Sequence, residues 1–186
     1  MSATEQLERA IAIGRGVLTN VTKEDLDKQS PCASWKVRDV INHLMDSSNF
    51  MLTGMGLEAA SVGDVTDGDF VAAYDEACGR TLAAFQAPGA LEKTAHLPFG
   101  DMPGAALMGL AIGDIFMHAW DIAKATGQST DLDPEFAAQW LPQAQAMLSE
   151  SFRGPEGSGM PFGPQQEAPA GATNADKVAA FMGRAC

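Results

Sequence analysis

The stretch that decides the fold runs from residue 109 to residue 127 and reads GLAIGDIFMHAWDIAKATG. It is apolar almost throughout, yet Asp114, His118 and Asp121 lie inside it. Offsets of four and three residues place these side chains on one face of a helix, one turn above another. The other faces of this helix are apolar as well, which is typical of a helix buried on all sides. A carboxylate in such a helix is costly unless it is paired.

Two explanations fit this spacing. A divalent cation would satisfy both the Asp114 carboxylate and the His118 imidazole. Alternatively, the two residues form a hydrogen bond within the helix, since buried polar side chains of folded proteins are usually hydrogen-bonded. Lys124 is close enough to pair with Asp121 but lies too far along the helix to serve Asp114. The spacing leaves both explanations open, because an Asp-x-x-x-His pattern is a weak signal of a metal site.

A second apolar helix favours the metal explanation. The segment RDVINHLMDSSNF, residues 38–50, carries His43 among apolar neighbours, and the chain has three histidines in all. Two facing helices would bring His43, Asp114 and His118 together. Two imidazoles and one carboxylate with open coordination positions suit zinc, nickel or iron. We therefore expect a divalent metal, zinc first, on these three ligands, with Asp121 orienting one imidazole rather than binding the metal itself.

The rest of the chain is also mostly helical by its periodicity and its capping residues. The predicted helices cover residues 3–19, 35–53, 69–86, 103–126, 134–150 and 175–183. In chain order, the residues expected to cap these helices or begin their first turns are Ser2 or Thr4, Ser34, Asp67 or Asp69, Pro103, Asp133 with Pro134, and Asn174. Gly127 is expected to end the fourth helix. Residues 86–104 have the punctuation of a hairpin-like excursion. We predict an all-α four-helix bundle over residues 1–150, with a Gly/Pro-rich wrap and a short C-terminal helix over 151–186 in the same domain.

The charge and composition of the chain limit the classes of binding partner that we expect. The 186 residues carry a formal net charge of −12 with scattered basic residues, which argues against nucleic acid and anionic membranes. Residues 104–123 are long enough to span a bilayer, but their ionisable groups and glycines favour a buried helix. An acidic N-terminus, an odd number of cysteines and no C-x-x-C pattern favour the cytoplasm. We expect Cys32 to be a half-buried turn residue, with a reactive thiol as the alternative, and His96 to be a solvent-exposed or loop residue.

Three segments together resemble a known family. They are SPCASWKVRDVINHLM at 30–45, GDIFMHAWDIAKATGQ at 113–128 and NADKVAAFMGR at 174–184. The first two resemble the mycothiol-dependent maleylpyruvate isomerase N-terminal family, a branch of the DinB-like metal-binding bundles. The third resembles an actinobacterial subgroup of uncharacterised metal-binding proteins. The resemblance implies a DinB-like four-helix core with one metal, in which His43 is the first ligand, His118 is the last, and Asp114 stands where the isomerase has a glutamate.

The resemblance and the open coordination positions together suggest a function. We expect a metal-dependent enzyme that uses a low-molecular-weight thiol such as mycothiol for transfer or isomerisation, acting on an apolar or acidic small substrate. The alternative is a non-catalytic protein that binds a metal or is stabilised by it, in stress response or regulation. A third possibility is a member without metal, in which Asp114 and His118 only form a hydrogen bond. A homodimer is left open.

Overall fold

A computed structural model describes residues 1–32, 34–59, 63–155 and 158–186. Within them lie six α-helices and one antiparallel hairpin, so the predicted all-α fold class is confirmed. The helices are α1 (Ala3–Leu18), α2 (Val37–Gly54), α3 (Phe70–Gln86), α4 (Gly104–Thr126), α5 (Pro134–Met147) and α6 (Asn174–Phe181). The strands are β1 (Thr94–Leu97) and β2 (Gly100–Pro103), paired in the register Thr94 to Pro103, and single 3₁₀ turns cover Lys23–Asp25 and Glu150–Phe152.

Helix α4 is the centre of the bundle. It packs against α1 and α2, and α3 packs against the same two helices on the other side. This arrangement gives the cyclic order α1, α4, α2, α3. Helices α5 and α6 pack against each other, and α6 also contacts α4. The core side chains Phe116 and Trp120 of α4 and Tyr74 of α3 are fully buried.

By length and composition, α4 is the single helix in the described part of the chain that would suffice to cross a membrane. However, 78% of its most apolar segment is buried inside the bundle. The apolar surface of α4 is therefore covered by neighbouring helices, as expected for a core helix.

Several helix ends agree with the sequence signals. Ser2 caps α1, and its side chain accepts the N–H of Glu5. Asp69 caps α3 in the same way, by accepting the N–H of Ala72 at 3.0 Å. Gly127 ends α4 with φ of 75°, a left-handed conformation that glycine adopts at no steric cost.

The predicted start of α2 is wrong. Ser34 does not cap this helix, which begins at Val37 with Lys36 as its N-cap. Lys36 pairs with Gln29 in an isolated antiparallel bridge, and its own backbone is extended, with φ of −83° and ψ of 170°. The Asp39 carboxylate accepts the N–H of Lys36 at 2.8 Å and so ties the N-cap backbone to the first helical turn. The consequence is an approach loop that carries Cys32 and Trp35 towards α4.

Three other boundaries differ from the sequence expectation. Pro103 is the last residue of β2 rather than a helical residue, so α4 begins one position later. Helix α5 ends at Met147 because Leu148 has an extended backbone. Thr173 caps α6 instead of Asn174, and its hydroxyl accepts the third helical N–H at 3.0 Å. The predicted wrap is largely irregular where it is described; residues 156 and 157 lie outside the described part.

Candidate metal centre

The structure brings the three predicted ligands together. His43 projects from α2, while Asp114 and His118 project from α4, and one ligand atom of each lies within 4.8 Å of the other two. Nε2 of His43 is 3.2 Å from Oδ1 of Asp114, and Nε2 of His118 is 3.5 Å from the same oxygen. Two imidazole nitrogens from two helices therefore converge on one carboxylate.

The second carboxylate oxygen of Asp114 tests whether a cation fits. Oδ2 is buried and has no hydrogen-bond partner among the described residues. An unpaired buried carboxylate oxygen costs stability unless a charge or a donor reaches it. Two imidazole nitrogens lie against the other oxygen, Oδ1, so the carboxylate and the two rings form a donor set that a divalent cation would complete. The residues present thus fit a metal ion.

Asp121 lies where the sequence predicted an orienting residue. Its carboxylate is fully buried, and Oδ2 is 3.0 Å from Nδ1 of His118. If Nδ1 donates its proton to this carboxylate, Nε2 keeps its lone pair on the side of Asp114. His118 is therefore the more enclosed of the two imidazoles, with a 9% exposed side chain, whereas the His43 side chain is 32% exposed.

Two further residues surround Asp121 that the sequence analysis did not assign to the site. Arg184 lies beyond α6 and donates through Nη2 to Oδ2 at 2.9 Å and through Nε to Oδ1 at 3.0 Å. The Cys32 thiol donates to Oδ2 at 3.4 Å and accepts from Nη2 of Arg184 at 3.3 Å. Lys124, the partner considered from the sequence, instead lies over the Trp120 ring at 5.8 Å.

The ionisation of this cluster follows from its charges. Burial raises the pKa of Asp114, but the charge of His118 and the contact with His43 outweigh burial and hold this pKa well below its usual range. Burial lowers the pKa of His118, yet Asp114 and Asp121 raise it well above 6.5. Burial also raises the pKa of Asp121, and His118 with Arg184 lowers it to about 2. Each of these shifts favours the charged form of its group, because His118 and the two carboxylates stabilise one another's charges.

An aromatic residue and an open depression border the centre. The Trp35 ring lies 4.7 Å from the His43 ring and 5.7 Å from the His118 ring, centroid to centroid. A depression of about 350 Å³ leads to the exposed side of His43. Its lining is Ser34, Trp35, Asp39, Asn42, His43 and Asp46. A small molecule therefore has a route from solvent to the His43 side of the cluster.

His96 belongs to a different part of the molecule. It lies in β1, and its Nδ1 is 2.9 Å from Oδ1 of Asp101 in β2. Both side chains are well exposed. The expected solvent-exposed position of His96 is confirmed, although it belongs to a strand rather than to a loop.

Fold and cluster together define a class of protein: an all-α bundle, consistent with the DinB-like fold, with a His/Asp/His cluster between two of its helices. The family model of the mycothiol maleylpyruvate isomerase N-terminal domain matches residues 7–123. The chain belongs to this family. The match spans α1 to α4 and includes all three clustered residues, whereas Arg184 lies outside it.

Two similar proteins extend over almost the whole chain. They are the uncharacterized proteins MT0763 of Mycobacterium tuberculosis strain CDC 1551 / Oshkosh and Rv0738 of strain H37Rv. Each is 39% identical over 180 residues, which cover 95% of this chain and 94% of the relative. No solved structure matches the chain. Since the matched residues cover 95% of the chain, the similarity to these relatives continues past residue 123, where the family match ends.

Proposed function

We propose that the protein binds a divalent cation, zinc before nickel or iron, through His43, Asp114 and His118 and offers it to a low-molecular-weight thiol of the mycothiol type. The observation that carries this proposal is the Asp114 carboxylate, on which two imidazole nitrogens converge while Oδ2 stays buried and unpaired in the described structure. The family supports the choice of thiol.

Each residue of the centre has a defined task in this proposal. His43 and His118 hold the cation through Nε2, and Asp114 supplies the negative charge. Asp121 accepts the Nδ1 proton of His118 and so keeps Nε2 turned to Asp114. Trp35 packs beside both imidazole rings and forms one wall of the depression. A bound divalent cation would lower the pKa of a coordinated thiol and so make a thiolate available near neutral pH.

The depression beside His43 favours an apolar substrate over an acidic one. Among its lining residues, Asp39 and Asp46 carry carboxylates and none is a lysine or an arginine, while Trp35 offers an aromatic surface. An anionic substrate would meet like charges there, which disfavours binding. The proposed step is thiol binding at the metal, and transfer or isomerisation is the class of reaction that the bound thiol would serve. A reducing cytoplasm is the compartment that this proposal requires, and the three free cysteines agree with it.

The experiment uses the whole chain purified without a histidine tag. Elemental analysis should find about one divalent metal per chain, as expected for a single three-ligand site. The protein is then loaded with Co²⁺ and titrated with mycothiol and, in parallel, with its S-methyl derivative. We expect a thiolate-to-cobalt absorption band with mycothiol and none with the S-methyl form, which cannot supply a thiolate. His118→Ala should bind neither the metal nor the thiol.

The outcomes separate the three possibilities that the sequence left open. A metal content far below one per chain, with no cobalt uptake, would leave the protein without a metal site. Cobalt uptake without a thiolate band at saturating mycothiol would refute the thiol proposal and leave a metal-binding protein. A band that survives in His118→Ala would refute the assigned ligands.

A further inference from the structure

We propose that Arg184 is a positioning residue of the metal centre. It fixes Asp121 against His118. It also occupies a second set of possible metal ligands beside the first, so that a cation binds at His43, Asp114 and His118. This inference rests on the metal site proposed above. It adds a residue that lies outside the family match and an explanation of how one of two possible sites is selected.

The cluster contains two overlapping donor sets. The first is His43, Asp114 and His118, and the second is Cys32, His118 and Asp121; in each set the ligand atoms lie within 4.8 Å of one another. A thiol, an imidazole and a carboxylate are zinc ligands as suitable as the first set. The two sets use opposite edges of one ring, because His118 has Nε2 on Asp114 and Nδ1 on Asp121. A neutral imidazole has a lone pair on one nitrogen at a time, so His118 can serve one set or the other.

In the structure, the Arg184 guanidinium occupies the second set. It contacts both oxygens of Asp121, at 2.9 Å and 3.0 Å, and the sulfur of Cys32 at 3.3 Å. Asp121 is fully buried, and such a carboxylate needs a countercharge in contact with it. The fork of Arg184 supplies this charge with fixed geometry. The guanidinium therefore contacts the Asp121 and Cys32 atoms that a cation in the second set would need as ligands. Nδ1 of His118 can then donate its proton to Asp121.

The end of α6 directs Arg184 to this position. Gly183 has φ of 94°, and the Arg184 N–H returns to the carbonyl of Ala179 at 2.9 Å, so the chain turns sharply after the helix. Helix α6 itself is fixed to α4 by the Trp120 indole, which donates to Asp176 at 2.9 Å. The C-terminal segment thus enters the metal centre through one side chain.

A purely structural role for Arg184 would be to hold this segment on the bundle, and Arg153 provides the matched control. The Arg153 side chain is also nearly buried, and its guanidinium lies over the Phe181 ring of α6 at 4.6 Å. It pairs with Glu150 and donates to the carbonyl of Gly163. Arg153 therefore secures the same segment through contacts other than those of the cluster.

The test measures Co²⁺ binding and its absorption spectrum in the whole chain without any added thiol. The wild type should show cobalt bands without a thiolate band. Arg184→Met keeps the side-chain stem but removes the charge and the fork. It should bind Co²⁺ with affinity at the first set reduced about tenfold or more and should gain a thiolate band from Cys32. Adding Cys32→Ser to Arg184→Met should remove that band. Arg184→Lys returns the positive charge without the fork, so it should weaken the thiolate band of Cys32 and restore the affinity in part.

Arg153→Met is the control variant and should keep the wild-type affinity and spectrum. Loss of affinity or a thiolate band in this variant would show that docking of the segment is what matters. An Arg184→Met protein with unchanged affinity and spectrum overturns the proposal. If Arg184→Met does not fold, the single variant Cys32→Ser tests the proposal. An unchanged cobalt spectrum shows that Cys32 is not a ligand in the presence of Arg184, as proposed. A changed spectrum overturns the proposal. A wild type that binds no Co²⁺ refutes the metal site itself, whereas a failure to bind mycothiol refutes only the proposed thiol.

Discussion

The two oxygens of Asp114 have different surroundings. Oδ1 contacts Nε2 of His43 and Nε2 of His118, whereas Oδ2 is buried and unpaired within the described chain. Leaving a buried acceptor unsatisfied costs about 1–3 kcal/mol. A cation placed between the carboxylate and the imidazoles would remove this cost. Asp114 is therefore the residue whose chemistry distinguishes a metal site from an internal hydrogen bond.

The first prediction concerns the charge of Asp114. Asp114→Asn should lower zinc affinity by about 10–100-fold or more, because the amide keeps the shape of the side chain but not its negative charge. Competition titration against a zinc chelator measures the change. The matched control is Asp101→Asn, since Asp101 also pairs with a histidine, His96, but on the exposed hairpin. Equal affinities in wild type and Asp114→Asn would contradict the assignment of Asp114.

The site residues that could be predicted lie on one helix or on a second helix of the same apolar pattern, whereas those that could not lie far from Asp121 in the sequence. Asp114, His118 and Asp121 share a helix, so the 3.6-residue period fixes their common face, and His43 could be added because its own helix is apolar on the same side. Arg184 is 63 residues from Asp121, and Cys32 is 89 residues from it. Their contacts depend on the path of an irregular segment and of a loop, which no periodicity specifies.

At the scale of the elements, one contact controls how closely α1 and α3 pack. Tyr74 of α3 is fully buried, and its hydroxyl donates to the carbonyl of Ile11 in α1 at 3.1 Å. Gly14 in α1 makes room for this ring: a Cβ at position 14 would come within 2.3 Å of the Tyr74 hydroxyl oxygen. The small residue is therefore required by its neighbour, since its own backbone is helical.

The second prediction follows from this contact. Gly14→Ala should lower the free energy of unfolding by about 1–3 kcal/mol, because the added methyl group overpacks the α1–α3 interface. Gly16 lies in the same helix with nothing within 4 Å of a Cβ at its position, which makes it the matched control. Gly16→Ala should raise the free energy of unfolding by up to about 1 kcal/mol through helix propensity. Urea denaturation of the three proteins measures both effects, and equal stabilities of the Gly14→Ala and Gly16→Ala variants would contradict the packing argument.

The third prediction concerns pH and the 3₁₀ turn after α1. Contact with Lys28 and the hydrogen bonds from Thr22 lower the pKa of Asp25 from 3.8 to about 2 in the folded state. A carboxyl with a lowered folded-state pKa stabilises the protein above its unfolded value, and this stabilisation disappears as pH falls from about 3.8 to about 2. Asp25→Asn should therefore make the unfolding free energy less dependent on pH in that interval. Glu24→Gln removes one charge from the exposed neighbouring position and is the control for the change in net charge.

Element boundaries were predictable where a local signal acts alone. Ser2, Asp69 and Gly127 act within one turn of their helices: Ser2 and Asp69 cap the starts of α1 and α3, and Gly127 ends α4. At α2 the helix begins at Val37 and not after Ser34, because Lys36 pairs with Gln29 outside the helix. Pairing outside the helix set that boundary, and capping preference alone contains no information about it.

At the scale of the whole molecule, the candidate metal centre joins parts of the chain that are distant in sequence. His43 comes from α2, the pair Asp114 and His118 comes from α4, and Arg184 reaches them from beyond α6 through Asp121. In the unfolded chain these groups do not form a preassembled site. A cation that binds the folded centre and not the unfolded chain must therefore stabilise the fold as a whole.

The fourth prediction is the size of this stabilisation. Free zinc at about 100 times its dissociation constant should add about 2.7 kcal/mol to the free energy of unfolding. For a domain of this length each kcal/mol raises Tm by about 2–4 °C, so the expected shift is about 5–10 °C. Thermal unfolding followed by circular dichroism measures it, and EDTA should reverse it. His118→Ala should show no zinc-dependent shift, while Asp101→Asn should respond like the wild type because its carboxylate lies on the hairpin. A wild-type Tm that is the same with zinc and with EDTA would show that the cluster is held by hydrogen bonds and ion pairs alone.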